Sequence, residues 1–295
     1  MEYRRDPTKG IDVIVASGRR KRPFHFGKKE GCPFCRGNEW MTTKTRFALP
    51  DGKKWVVRSF RNLYPLAKPS SKAAFGEHEV IVETNIHGKL LQDLSEEELA
   101  LVLVAYQNRF RELGNRKGIK CVFLWKNHGP KAGASIEHEH AQIISLPFIP
   151  EVVANELKHF EEGKKKGKCF YCRRAEDGKT ILEENKHFYA FVPAFGRSRL
   201  ETWIVSKRHF GAILDFTEEE GKAFMKILAE CLRRIAVHAT DYIIAFHNAP
   251  LGKDFHFHAE IYPRLGIYGG LELGTGVIVN SMSEKEALRA LKKRH

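Results

Sequence analysis

The sequence predicts an α+β protein of two tandem halves, each an antiparallel sheet packed with a long helix. Three observations carry that expectation. One order of motifs occurs twice at long period, the two strongest helical segments open on capping signals, and short runs such as EVIVET and TWIVS are rich in β-branched residues. The first half runs CPFC, RSFRNLYPL, EVIVETNIH, DLSEEELALVLVAYQNRFREL and HEHAQIISLP. The second runs CFYC, KHFYAFVPA, ETWIVSKRH, DFTEEEGKAFMKILAECLRRI and HFHAEIYPR.

Taken in order, each half offers a cysteine pair, a strand, a strand ending in histidine, a capped helix and an H-x-H strand. His87 lies eight residues before Ser95, and His209 lies eight before Thr217. Ser95 with Glu98 and Thr217 with Glu220 fit the S/T-x-x-E box that satisfies free amides at a helix start. Leu99, Leu103 and Tyr106 then recur at helical spacing, which gives the helix one core-facing stripe. The chain turns polar and lysine-rich over 151–166, where the boundary is expected, dividing it into residues 1–155 and 156–295.

Composition narrows the class. The 295 residues are 42% hydrophobic and 29% charged, as in a soluble globular protein with a full core. No stretch approaches the roughly 20 apolar residues of a membrane span. MEYRRDPTKG lacks the apolar region of a signal peptide, so the sequence reads as cytoplasmic. Lysine and arginine number 50 against 36 aspartate and glutamate, a formal charge of +14, which favours anionic partners without selecting nucleic acid over nucleotides or sugar phosphates. The dense clusters GRRKRP and EEGKKKGKC have few interleaved aromatics for stacking bases, and the lysine run 164–166 reads as solvated surface.

Cys121 and Cys231 stand alone in apolar surroundings and read as buried thiols. The other cysteines line up with histidines in matching order: Cys32, Cys35, His87 and His138, then Cys169, Cys172, His209 and His256. Two thiolates and two imidazoles suit tetrahedral zinc better than a harder cation. A redox pair would not need two distant histidines at parallel positions. Each set uses all four ligand positions, so two structural zinc sites per chain are expected, with no coordination position left for water.

In SIEHEHAQIISLP, His138, His140 and Gln142 share one face of a strand of period two. With His138 on a metal, His140 remains for chemistry, and neutral imidazole is a competent nucleophile near pH 7. A lone histidine is ordinarily a hydrogen-bonded core residue. Here the H-x-H-x-Q spacing and the upstream loop NHGPKAGAS, which brings Asn127 and Ser135 near, favour catalysis.

These motifs together make the sequence resemble the galactose-1-phosphate uridylyltransferase family of the histidine triad superfamily, with its nucleotide-sugar phosphorylase relatives. The likeness runs over nearly the whole chain: SGRRKRP, CPFCRGN, SFRNLYP, NHGPKAGAS before HEHAQ, and FHNAP before HFHAEIYP. It implies two histidine-triad-like halves, the first catalytic and the second non-catalytic but contributing to substrate binding. It also implies a double displacement in which His140 takes a nucleotidyl group from a nucleoside diphosphate sugar and passes it to a sugar 1-phosphate. Asn127, Ser135 and Gln142 match phosphoryl-binding positions, Arg19 and Arg22 the early basic positions, and Phe60 and Asn62 the nucleoside pocket. Glutamine at position 142, rather than histidine, points to transfer instead of hydrolysis. A homodimer is implied as well.

The second half has His258 and Glu260 where the first has His140 and Gln142, and a carboxylate repels phosphate. The resemblance offers an alternative metal set there, Glu156, His247, His256 and His258, against which the cysteines favour the zinc arrangement. Departures from the family pattern are Glu139 in place of a common proline, Leu63 in place of a common aspartate, and Gly274, Thr275 and Gly276 in a loosely matching C-terminal segment. The leading reading is exchange of UMP between UDP-glucose and galactose 1-phosphate. The next is a phosphorylase acting on an ADP-sugar or a diadenosine polyphosphate, with inorganic phosphate as acceptor. A non-catalytic zinc module binding nucleic acid is the third; it predicts strongly salt-dependent binding that survives His140→Ala.

Overall fold

A computed structural model describes residues 1–21, 26–27, 31–167, 169–177 and 180–293. Arg22 therefore lies outside the described residues. A hairpin of β1 (Glu2–Arg5) and β2 (Asp12–Val15) precedes the main body. The first half then supplies β3 (Thr45–Leu49), β4 (Val57–Arg61), β5 (Glu77–Val82), α1 (Glu96–Gly114), β6 (Cys121–His128) and β7 (His140–Leu146). After α2 (Glu151–Lys165) and α3 (Phe170–Asp177) come β8 (Ile181–Glu184), β9 (Phe188–Phe191), β10 (Thr202–Ser206), α4 (Glu218–Ala236), β11 (Tyr242–His247) and β12 (His258–Pro263). The chain closes with α5 (Gly270–Thr275) and α6 (Glu284–Lys292).

Each half contributes five antiparallel strands, and the two sets meet edge to edge in one ten-stranded sheet of order β3-β4-β5-β7-β6-β11-β12-β10-β9-β8. The junction is β6 against β11, with Tyr242 opposite His128 and Phe246 opposite Leu124. Pairing these inner edges satisfies two rows of backbone groups that would otherwise template aggregation. Motif order alone predicts the two sheets; their fusion is an addition that only the tertiary structure reveals.

Both capping boxes form. The Ser95 hydroxyl accepts from the Glu98 amide and Glu98 reaches back to the Ser95 amide; Thr217 and Glu220 do the same for α4. Each N-cap is worth about 1 kcal/mol. The helices lie together on one face of the sheet. Val102, Tyr106 and Phe110 of α1 and Phe224, Leu228 and Leu232 of α4 join Ile81, Leu124, Ile143, Ile204, Ile244 and Ile261 in one core. Each such fully buried side chain stabilises the fold by about 1.5–3 kcal/mol before entropy is counted.

The lysine-rich boundary segment is not an irregular linker: it forms α2. Val153, Leu157 and Phe160, spaced four and three apart, are buried on one side of that helix. Leu157 and Phe160 pack with Tyr189, Phe191, Trp203 and Val205 on the sheet face opposite α1 and α4. Lys164, Lys165 and Lys166 are exposed at its end, as the sequence reading expects, where positive charge suits the helix dipole.

Candidate active site and metal centres

β7 begins at His140, so His138 precedes the strand proper. The pairing nonetheless continues, because the Glu83 amide donates to the Glu139 carbonyl at 3.1 Å. On β7, Ala141 and Ile143 enter the helix-side core, while His140 and Gln142 face the other way and line a pocket. Phe34, Met41, Thr42, Phe60, Asn62, Leu63, Tyr64, Val80, Ser135 and Ile136 share the walls. Phe60, Asn62, Ser135, His140 and Gln142, named from sequence, thus converge. Asn127 lies on the same sheet face: Trp125 pairs with Gln142, and the register carried two residues on sets Asn127 opposite His140. Arg19 sits in a single 3-10 turn and donates to the Tyr64 carbonyl at the rim of this pocket.

His140 Nδ1 lies 2.7 Å from the His138 carbonyl. That oxygen can only accept, so Nδ1 carries the proton and Nε2 the lone pair, the tautomer a nucleophile requires. The Phe34 ring meets the imidazole edge-on at 5.1 Å. Ser135 is buried in the wall of the same pocket as His140, and its Oγ has no hydrogen-bond partner among the described residues.

The loop before β7 is shaped by glycine and held by the other half. Gly129 and Gly133 have φ of 83° and 81°, which only glycine adopts readily. A Cβ on Gly129 would meet Asp241 Cγ at 2.4 Å. Asp241, just ahead of β11, accepts from the Lys131 amide at 2.6 Å.

Both cysteine–histidine sets assemble. Cys32 and Cys35 Sγ lie 3.7 and 3.6 Å from His138 Nδ1, and Cys35 Sγ lies 3.6 Å from His87 Nδ1. In the second set, Cys169 Sγ is 3.2 Å from His256 Nδ1 and 3.6 Å from His209 Nδ1, while Cys172 Sγ is 3.6 and 3.5 Å from the same atoms. A tetrahedral zinc with sulfur and nitrogen ligands sets such S–N edges at about 3.6 Å. His138 and His256 each direct Nε2 at a backbone carbonyl, of Thr84 and Ser206, at 2.7 Å, which orients Nδ1 toward the thiols. Burial pushes the pKa of His138 down and that of His256 to about 3, favouring the neutral imidazole that binds metal. Both sets therefore fit zinc.

The alternative second-half set separates. His256 belongs with the cysteines, whereas Glu156, His247 and His258 gather with Glu260. His247 Nδ1 is 2.9 Å from Glu156 Oε2, its Nε2 is 3.3 Å from Glu260 Oε2, and Arg197 donates to Glu260 at 2.6 Å. Burial opposes a charged imidazole at 247, but Glu260 and Glu156 outweigh it and raise its pKa to about 10. Glu260 is thus neutralised by neighbours of its own half. Tyr171, Trp203 and Phe160 surround His258 at ring separations of 4.7, 5.9 and 6.5 Å.

Several residues of consequence escape the sequence reading. Behind β7, on the helix side, Lys126 is fully buried between Glu83 and Glu139, at 2.8 Å from Glu139, and Glu139 also meets His128 Nδ1 at 2.9 Å. Tyr106 donates to Glu83. Burial opposes charge on Lys126, yet the two carboxylates raise its pKa. The departure at position 139 is thereby accommodated in an ion network. His78, on β5, contacts Gln142. The signal for both was the stretch EHEVIVE, whose charged residues 77, 79 and 83 share one face while His78 shares the other with Val80 and Val82. Cys121 and Cys231 are free and buried, and burial raises both pKa values, Cys121 to about 12.

Comparison with known proteins places this geometry among enzymes. Residues 14–149 match the N-terminal domain of a domain of unknown function, DUF4931. The chain is 28% identical to ADP-glucose phosphorylase of Arabidopsis thaliana, over 99% of this chain and 92% of that protein. It is 30% identical to galactose-1-phosphate uridylyltransferase of Thermotoga maritima, over 99% of this chain and 98% of the relative. The crystal structure of the Arabidopsis phosphorylase with bound ADP-glucose superposes with a TM-score of 0.85 at 27% identity, covering 100% of this chain and 98% of that one. No helix among the described residues is long and apolar enough to cross a membrane.

Proposed function

The chain belongs to the galactose-1-phosphate uridylyltransferase family and is an enzyme of the nucleotidyltransferase type, and from that premise we propose a double displacement at His140. Nε2 attacks the α-phosphorus of a nucleoside diphosphate hexose. The bond from that phosphorus to the bridging oxygen breaks, and hexose 1-phosphate leaves with the electron pair. A phosphate oxygen of the acceptor then attacks the nucleotidyl-histidine, breaking the P–N bond and restoring the lone pair on Nε2. The observation that carries this reading is the His140 Nδ1 contact to the His138 carbonyl, which holds the nucleophilic tautomer in the pocket wall.

Gln142, Ser135 and Asn127 bind the phosphoryl oxygens, and Phe60 and Asn62 hold the nucleoside. Arg19, and Arg22 outside the described residues, answer the diphosphate charge. Cys32, Cys35, His87 and His138 hold one zinc, and Cys169, Cys172, His209 and His256 a second. When bound, the metals serve structure, tying the approach to each H-x-H segment to a cysteine loop. Residues 1–155 form the catalytic half, while 156–295 support it and contribute to substrate binding. Ile267, Leu271, Leu273, Val277 and Val279 are exposed along one C-terminal segment, an apolar surface suited to a second copy of the chain.

UDP-glucose is the proposed donor and galactose 1-phosphate the acceptor. A second reading, transfer of AMP from ADP-glucose to inorganic phosphate, is favoured by Leu63 in the pocket wall and by the likeness to the Arabidopsis phosphorylase. Incubation with each nucleotide sugar separately, followed by mass spectrometry, should find UMP or AMP on His140. Discharge by galactose 1-phosphate or inorganic phosphate then identifies the acceptor. His140→Ala should lower exchange by about a thousandfold or more, with fold and metal content retained, whereas His258→Ala should leave the adduct intact. An undiminished His140→Ala enzyme would end the reading.

A further inference from the structure

We infer that His78 is a positioning residue that locks the amide of Gln142 in one of its two orientations, a role that rests on the nucleotidyl transfer proposed above. The Leu66 amide donates to His78 Nδ1 at 3.1 Å, so that nitrogen is the acceptor of the neutral ring. The proton is then on Nε2, which lies 3.1 Å from Gln142 Oε1. An N–H can only donate, so Gln142 must present its oxygen to His78; the reversed amide would oppose two donors. Asn62 Nδ2 adds a second donor toward the same oxygen at 3.5 Å, its own Oδ1 being held by the Tyr64 amide at 2.8 Å. With Oε1 committed, the NH2 group becomes the edge available to phosphoryl oxygen in the pocket.

The ring itself has little freedom. His78 is 1% exposed and stacks on Trp125 with centroids 5.5 Å apart and planes 24° apart. Trp125 pairs directly with Gln142 across β6 and β7, and Val80, two residues along β5 from His78, pairs with Gln142 from the other side. The amide is therefore caught between two strands and oriented by a tautomer that a third backbone group selects. Such preorganisation matters because a donor already aimed at developing phosphoryl charge needs no reorganisation during the reaction. It also means that a glutamine, whose two ends differ only in donor and acceptor, acts with one polarity.

The test is a double-mutant cycle on the metal-replete full-length enzyme, read by steady-state exchange and by the single-turnover rate of His140 nucleotidylation. His78→Phe keeps a ring against Trp125 and removes the Nδ1 contact to the Leu66 amide and the Nε2 contacts to Gln142 and Asn62. It should lower kcat about 10- to 100-fold with KM for the nucleotide sugar changed less than about 3-fold. In a Gln142→Ala background the same change should cost less than about 2-fold, because no amide remains to be oriented. His78→Gln, which can place an N–H near the original Nε2, should restore most of the rate, whereas His78→Asn, too short to reach, should not. Should His78→Phe fail to fold, the Gln and Asn variants decide the matter alone. Equal losses in the wild-type and Gln142→Ala backgrounds, or equal rates for the Gln and Asn variants, would overturn the inference while leaving His140 chemistry standing. A wild-type enzyme that forms no adduct with UDP-glucose or ADP-glucose would overturn the functional reading itself, and this inference with it.

Discussion

The two halves share strand order, capped helices and a cysteine–histidine set, yet they fill the same frame differently beside the second histidine. In the first half Phe34 touches His140 from one side and the pocket stays open between β4, β5 and β7. In the second half Tyr171 stands in the corresponding place against His258, and Leu157 and Phe160 of α2 pack onto the same sheet face with Trp203. Gln142, a neutral amide facing the pocket, corresponds to Glu260, a carboxylate already engaged by Arg197 and His247. The lesson is that a duplicated scaffold need not duplicate a site. One helix and one charge convert a pocket into core.

The largest test of that comparison is removal of each metal set in turn. Cys32→Ser with Cys35→Ser should cost about one zinc per chain and, with stabilisation on the order of 10 kcal/mol at stake, prevent the first half from holding its active geometry. Cys169→Ser with Cys172→Ser should cost the second zinc and leave measurable nucleotidylation. Chelation should separate the sites by rate: the His209 side chain is 36% exposed against 10% for His87, so the second metal should leave first. Release followed with a colorimetric indicator beside activity checks the order; activity lost with the first metal to leave would reverse the assignment.

A smaller effect separates the helix-side cores. Lys126 corresponds to Phe246, and Glu139 to Phe257, so one half buries an ion network where the other buries aromatic rings. Lys126→Met takes away the one cation shared by Glu83 and Glu139, leaving Glu83 with only the Tyr106 hydroxyl and Glu139 with His128, and should destabilise by about 3–5 kcal/mol. Phe246→Leu should cost about 1 kcal/mol. Denaturant unfolding of both variants measures the contrast, and equal losses would show that the buried ions are no more demanding than packed rings.

The smallest effect concerns acid. A hydrogen bond from Arg208 is the main cause that holds the Glu220 carboxyl at about 2, against the resistance of burial. Its value in the folded chain lies below the ordinary carboxylate value, so its stabilising contribution is complete above pH 4.5 and disappears as pH falls toward 2. Arg208 is half exposed, which keeps the contribution to about 1 kcal/mol or less. Glu220→Gln should flatten the acid limb of stability against pH more than Glu98→Gln, whose Lys89 partner works against burial for a smaller displacement. Thermal melts between pH 3 and 6 compare them.

Much of this was legible in the residues. The S-x-x-E and T-x-x-E boxes foretold α1 and α4 because capping is local chemistry. The ligand order foretold both cysteine–histidine sets because a tetrahedral ion needs four donors whatever the route between them. The period of two foretold that His140 and Gln142 would face one way. The lysines at 164–166 hid α2, since surface charge at a helix end masks three buried apolar residues further back. His78 was hidden for another reason: nothing in EHEVIVE says which residue will approach from a strand sixty-four positions away.

By itself, then, the sequence determined the paired halves, the capped helices, the two cysteine–histidine sets and the shared face of His140 and Gln142. These follow from periodicity, side-chain chemistry and short-range spacing. Only the tertiary structure decided that β6 and β11 join the sheets, that α2 closes the second pocket, and which nitrogen of His78 carries its proton. Those outcomes depend on which distant surfaces exclude water together and which donors then lack an alternative partner, and that becomes defined once the chain has packed.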